Sequence, residues 1–397
     1  MTITYETAAL SFWIFYFGIS ALAMARPRPH VVPPPPAAEA PLLAVLLPVR
    51  GISESSQRFV RLLMAQDYPN FRVLLLVESE QDPATALMQV PGMERRASLV
   101  IAGEATIGSQ KVHNLLAGLE RLTPDDRVVV FCDADSILPA NWLTQLTQPL
   151  RSGKAEVATT FRMLIPKRRQ LSLCLYAYAD VTVALAPRPP RTLYCWGGST
   201  AILAARLPRL DLPRRWRGVY SDDLAFSEAV KAERLKGVLL TDLLLPSDLD
   251  HSPREIKAFG KRQFFILTLH MPLTAFGAAL GPLLPLVFWT SATGRAMNGS
   301  TYALYVMGIV FVLDALRAWR RWDGVRRIAG PEAAKRFRCA ALAGGSLALV
   351  FGPPAFISAL GAYFRREVVW AGIRYRVRGK RDVRVIERAP PGERLPD

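Results

Sequence analysis

Between residues 42 and 136 the chain alternates short, unbroken apolar runs with stretches of helical spacing, and few architectures accept that pattern. The runs are LLAVLLPV (42–49), FRVLLLVES (71–79), ASLVIAG (97–103) and DRVVVFCDAD (126–135). Between them, residues 53–66 and 111–122 place apolar side chains at helical intervals, and Asp67-Tyr68-Pro69-Asn70 reads as a turn. A strand with one wet face alternates apolar and polar residues, whereas an unbroken run is a strand covered on both faces. The expected fold class is α/β, with a doubly wound, mostly parallel sheet.

In such a sheet, ligands bind beyond the carboxyl ends of the strands. Asp133 and Asp135 leave the last run there, spaced i, i+2. Two hard oxygen ligands at that edge suit Mg2+ or Mn2+ bridging a diphosphate, although aspartates are also common where a strand simply turns. Glu78 and Asp82 follow the second run at the same edge. Asp222 and Asp223 precede the helical stretch SEAVKAERLK (227–236). One aspartate is enough for a helix cap, so Asp222 is expected to cap and Asp223 to be free for chemistry. In YCWGGSTAIL (194–203), Gly197 and Gly198 mark a loop of close approach, and Trp196 is either core or a platform for a sugar face.

The rest of the chain has a different character. Residues 8–24 are apolar and uncharged, with Arg26 and Arg28 after them, the charge order of an uncleaved anchor rather than of a signal peptide. A proline-rich spacer, RPRPHVVPPPPAAEAP (26–41), follows. Three further apolar runs occupy 264–290, 302–316 and 339–364, the last broken by Gly352-Pro353-Pro354. Eight Lys/Arg in 317–338 against one in 291–300 put the former in the cytoplasm by the positive-inside rule, together with the 42–251 region. Ten Lys/Arg in 365–397 argue that this tail is cytoplasmic too, which requires the last run to be a re-entrant hairpin.

Fifty basic residues against 33 acidic leave a net charge of +17. With a mean hydropathy of +0.17, and basic clusters beside the apolar runs, this points to an anionic membrane surface and not to nucleic acid. Four scattered cysteines and four histidines exclude a disulfide scaffold, a zinc ribbon and a histidine-built metal site.

The order of these pieces resembles the inverting nucleotide-sugar glycosyltransferases of family two, and within them the ceramide glucosyltransferase branch. The resemblance rests on LLPVRG (46–51), QDYPNFRVLLLVESEQDPA (66–84), GSQKVHNLLAGLE (108–120), FCDADS (131–136), YSDDLAFSEAV (220–230) and REVVWAGIRYRV (366–377). It implies a GT-A type, Rossmann-like nucleotide-sugar-binding domain with transmembrane helices. It implies Asp223 as general base and Asp133 and Asp135 as ligands of Mg2+ or Mn2+. Asp82 falls on the nucleotide side, with Arg50 and Glu78 grouped beside it and Lys111 and Asn114 on the helix beneath. Trp196 and Gly197 are the remaining candidates near the sugar. The family's Q/R-x-x-R-W motif aligns with Phe259 to Gln263, keeping Arg262 but replacing the tryptophan by Gln263.

The expected organisation is an anchor (1–25), a linker (26–41), a catalytic domain (42–258), interfacial and transmembrane helices (259–364) and a basic tail (365–397). The expected activity is transfer of a hexose, glucose from UDP-glucose, to a membrane lipid hydroxyl by a multi-pass protein of the plasma membrane, or of the inner membrane in a bacterium. A processive polysaccharide synthase and a non-catalytic scaffold are the alternatives.

Overall fold

A computed structural model describes residues 5–24, 26–29, 32–186, 193–346, 356–357, 359–393 and 395. The chain forms two units. One comprises Pro29–Arg162, Arg188–Ser247 and Arg365–Asp397; the other Met1–Arg28, Met163–Pro187 and Asp248–Phe364.

In the first unit, the four apolar runs are strands β1 (Leu43–Pro48), β2 (Phe71–Val77), β3 (Ala97–Ile101) and β4 (Val128–Cys132). Later in this unit come β5 (Val157–Thr159), β7 (Ser199–Leu203) and β8 (Gly237–Leu239), while β6 (Arg162–Pro166) falls in the other unit from Met163 on and β9 (Leu245–Leu249) begins in this unit and ends in that one. A seven-stranded sheet has the order β3-β2-β1-β4-β7-β5-β8, and β6 and β9 form a separate ribbon. Strands β1 to β4 are mutually parallel, as the runs predicted. Strand β7 is antiparallel to both neighbours, β4 and β5, which makes the sheet mixed at one place.

The unbroken runs are explained by two apolar layers. Leu43, Val45 and Leu47 pack on one face with Phe59, Leu63 and Trp142. Ala44 and Leu46 pack on the other with Leu115, Trp216 and Phe226. Period-two geometry sends alternate residues to opposite faces, so a strand covered twice must be apolar at every position. The edge strands are less covered: β3 exposes Leu99 and Ile101, and β8 is half-buried throughout.

Residues expected as a basic tail form an antiparallel sheet of β10 (Glu367–Trp370), β11 (Ile373–Gly379) and β12 (Asp382–Arg388) within this same unit. In β11, Ile373, Tyr375 and Val377 are buried while Arg376 and Arg378 are exposed, the alternation of a sheet with one wet face.

The second unit is helical. Two stretches, Pro272–Met297 and Thr301–Gly344, are long and apolar enough to cross a membrane; Tyr5–Leu22 and Leu171–Leu185 are apolar but shorter. Leu10 and Phe17 pack with Phe288, Ala292, Val306 and Val310. Residues 317–338, expected between spans, continue the Thr301–Ser346 helix, which kinks at Gly330 (φ 83, ψ 177) before Pro331. The Gly352-Pro353-Pro354 hairpin expectation lies outside the described residues.

Candidate active site

The carboxyl ends of β2, β1 and β4 lie side by side because these strands are parallel neighbours. Asp133 directly follows β4, and its side chain is 31% exposed. Lys111 comes from the Gln110–Leu119 helix, capped by the Ser109 hydroxyl, which accepts from the Val112 N–H at 3.3 Å. Its Nζ lies 2.7 Å from Asp133 Oδ1 and 3.0 Å from Asp222 Oδ2. One buried ammonium therefore joins a strand end to a helix start.

Burial alone would drive Lys111 toward neutrality, but Asp133, Asp222 and Asp223 outweigh it and hold its pKa above the usual lysine value. Asp222 shifts upward, to about 6. Burial is the main cause; Lys111 opposes it, and the charges of Asp223 and Asp133 reinforce it. Gly197 makes the cluster possible, since a Cβ there would stand 2.5 Å from Asp222 Oδ2 and 2.9 Å from Lys111 Nζ. The expected loop of close approach is thus a loop against these charges.

Of the adjacent aspartates, Asp222 does not take the capping part expected of it. Asp223 Oδ1, half-buried, accepts from the Leu224 N–H at 2.8 Å and from the Ser221 hydroxyl. Asp222 makes no capping bond to the Asp222–Ala232 helix and faces Lys111 instead. Consecutive side chains on a helix diverge by about 100°. Only the docking of the helix decides which one meets the lysine.

Other expected binding residues are placed unequally. Asp82 is fully buried; its Oδ1 accepts from the N–H groups of Gly51 and Ala84 at 2.8 and 2.9 Å, while Oδ2 is buried with no partner among the described residues. Glu78 and Arg50 pair with each other at 2.9 Å, and Glu78 also receives Arg388 at 2.6 Å. Arg50 and Glu78, both expected to bind substrate, are thus held in an ion pair at this edge. Asn114 is buried between the Leu76 carbonyl and the Gln110 amide, so it supports the helix rather than offering a ligand bond. Trp196 is core: its ring packs on Phe161 with centroids 5.9 Å apart, and an added Cβ at Gly198 would collide with it at 2.2 Å. Asp135 is exposed beside Asp133. Arg262 and Gln263 belong to the second unit's Pro253–His270 helix, where the Arg262 guanidinium lies 5.1 Å from the Phe259 ring centroid.

Sequence reasoning missed Asp222 as a partner of Lys111, and it missed Gln110, Tyr375 and Arg388. Tandem acids read as a cap carry no signal for the first, and contacts across more than 260 positions carry none for the others.

The mostly parallel sheet covered by helices gives a fold class of α/β, with two long apolar helices in the second unit. Residues 7–177 match the profile of glycosyl transferase family 21. The matched segment contains Asp82, Lys111, Asp133 and Asp135 and ends before Gly197, Asp222 and Asp223. No curated protein sequence matches the chain. Among solved structures it is similar to a mannosyltransferase from Pyrobaculum calidifontis in complex with GDP-mannose and Mn2+, with 16% identity, 90% of this chain and 96% of that chain covered, and a TM-score of 0.49. It is similar as well to glucosyl-3-phosphoglycerate synthase from Mycobacterium tuberculosis in complex with Mn2+ and UDP-glucose, with 16% identity, 61% and 83% covered, and a TM-score of 0.37. The profile match and the α/β domain together mark the chain as glycosyltransferase-like.

Proposed function

We propose that the protein is a membrane-bound inverting glycosyltransferase that moves a hexose, glucose from UDP-glucose, to the hydroxyl of a membrane lipid such as ceramide. The observation that carries this reading is the charge cluster at the sheet edge, with Lys111 between Asp133 and Asp222 and Asp223 adjacent. The two apolar helices of the second unit supply the reason for a lipid acceptor, with the catalytic unit on the cytoplasmic side.

In the proposed reaction the acceptor oxygen attacks the anomeric carbon, the bond from that carbon to the diphosphate breaks, and the nucleoside diphosphate leaves. Asp223 takes the proton from the attacking hydroxyl, a role that contributes about 10²–10⁴-fold. Lys111 holds the Asp133 carboxylate in place and offsets the negative charge of the cluster. Asp82, fully buried and holding the Gly51 and Ala84 N–H groups, is proposed to shape the nucleotide side by fixing these loops.

The donor set fits a hard cation shared with the substrate. Among the described residues, no group of three or more His, Cys, Asp or Glu is placed to hold a metal alone. Asp133 and Asp135 supply two carboxylates, and a diphosphate would complete the oxygen shell of Mg2+ or Mn2+. When bound, such an ion supplies Lewis-acid stabilisation of the departing diphosphate.

The test is purified full-length protein with UDP-glucose and ceramide in mixed micelles, read by mass spectrometry. A product heavier than ceramide by one hexose residue, absent from Asp223→Asn, supports the proposal. Polymer of increasing length supports the synthase alternative, and no transfer from any nucleotide sugar to any extracted membrane lipid defeats both.

A further inference from the structure

The three C-terminal strands are not an appendage of the catalytic unit, because they fasten the loops that build its site. Three attachments are visible. At the end of β2, buried Glu78 accepts from Arg50 at 2.9 Å and from Arg388 of β12 at 2.6 Å, and Arg50 in turn donates to the carbonyls of Ala371 and Ala389, both at 2.5 Å. At the loop leading to Lys111, β12 acts as a pairing strand. The Gly108 N–H donates to the Val383 carbonyl at 2.9 Å and the Val385 N–H to the Thr106 carbonyl at 3.2 Å. Arg388 reaches the Ala105 carbonyl at 2.9 Å and Gln110 Oε1 at 3.1 Å, and the Tyr375 hydroxyl accepts from the Gln110 N–H at 3.3 Å. At the loop leading to Asp222, the Tyr220 ring lies against Tyr375 and Trp370, with centroids 5.5 and 5.7 Å apart. Gly218 passes so close to the Arg381 carbonyl that a Cβ would stand 2.4 Å away.

These three loops enter the site from sequence positions far apart, and the C-terminal sheet touches each of them, while the second and third also bond directly through the Ser109 N–H and the Val219 carbonyl at 2.9 Å. We propose that this sheet is a positioning element of the active site, latched by the buried Glu78 between Arg50 and Arg388, and that it sets the placement of Lys111 relative to Asp222. The latch suits that work. Arg388 forks across two loops at once, and a fork of fixed geometry constrains direction as well as distance. Glu78 is 3% exposed and Arg388 15%, so water does not readily replace the bonds.

The proposal rests on the transferase reading only for its kinetic consequence, and the experiment separates the two. Hydrogen exchange by mass spectrometry is measured on the full-length protein and on Arg388→Met and Arg388→Lys. Arg388→Met is expected to speed exchange in peptides covering 104–110 and 217–223 by about tenfold or more, with peptides of β1 and β4 unchanged. Arg388→Lys, which keeps the charge on Glu78 but not the fork, is expected to fall between. With UDP-glucose as donor, Arg388→Met is expected to raise the donor KM about tenfold while kcat changes less than threefold. Unchanged exchange in both loops overturns the proposal, as does equal acceleration throughout the unit, which is plain destabilisation. If wild-type protein turns over no nucleotide sugar, the transferase reading fails while the exchange result still decides the latch.

Discussion

Lys111→Met is the perturbation that most directly interrogates the site, because it removes one cation from among three carboxylates without a large change in volume. Breaking a buried ion pair by deleting one partner costs about 3–5 kcal/mol. Two features keep this case at the lower end. Asp133 is 31% exposed and rehydrates, and Asp222, already raised to about 6 with the lysine present, rises further without it and takes up a proton. The sign of the pH dependence follows. Below about pH 5 Asp222 is neutral with or without Lys111 and the loss is small, on the order of 1 kcal/mol. Toward pH 8 the wild-type pair is ionised and matched, whereas the variant must either bury an unpaired charge or bind a proton at about 1.4 kcal/mol per pH unit. The expected cost at pH 8 is about 3 kcal/mol, or roughly 6–12 °C in Tm for a unit of this size. Thermal unfolding of full-length protein in detergent, followed by tryptophan fluorescence in metal-free buffer at pH 5 and pH 8, reads it. A destabilisation equal at both pH values would refute the coupling of Lys111 to Asp222.

The other expectations concern the neighbours of that pair and one site remote from it. Asp223→Asn should lower kcat about 10²–10⁴-fold with the donor KM largely kept. Slowing of less than tenfold in steady-state transfer moves the base elsewhere. EDTA should abolish transfer and Mg2+ or Mn2+ restore it, and Asp133→Ala should cost several kcal/mol in kcat/KM with the far-ultraviolet circular dichroism unchanged; full activity in EDTA ends the metal assignment. Gly197→Ala should destabilise by about 1–3 kcal/mol, because its Cβ overlaps Asp222 Oδ2, and should impair transfer as the Lys111 pair is displaced; a neutral or stabilised variant in thermal unfolding contradicts the packing. Asp126 is paired to Arg72 at 2.6 Å. Burial works against its charge, but hydrogen bonds from Arg72 and Thr123 hold its pKa below the ordinary 3.8. That contribution is present above pH 3.8 and disappears as pH falls through the depressed folded value. Asp126→Asn should therefore lower the urea midpoint at pH 7 by an amount worth about 1.5–3 kcal/mol and change it little near pH 2; equal loss at both would deny the ionic contribution.

Much of the catalytic unit was legible in residue order because its determinants are local. Four apolar runs without alternation require strands covered on both faces, and helices between them require parallel crossovers. Parallel strands place their carboxyl ends together, so residue order alone puts Asp82, Asp133 and Glu78 at one edge. The antiparallel β7 left no comparable mark, since composition and period do not encode a strand's direction.

What tertiary structure alone decided is how neighbouring side chains diverge and where distant segments meet. Asp222 and Asp223 are alike in sequence, and the docking angle of one helix sends the first to Lys111 and the second to the Leu224 N–H. Glu78 and Arg50 stand at the edge where ligand residues are expected, but they pair with each other, and Glu78 also takes Arg388, 310 positions further on. Ten basic residues in the last segment are an amphipathic sheet seen as charge alone, because the period-two burial of Ile373, Tyr375 and Val377 takes effect only when a surface is there to receive it. Composition and period determine what a segment is able to bury. The surface that accepts it is made by the rest of the chain.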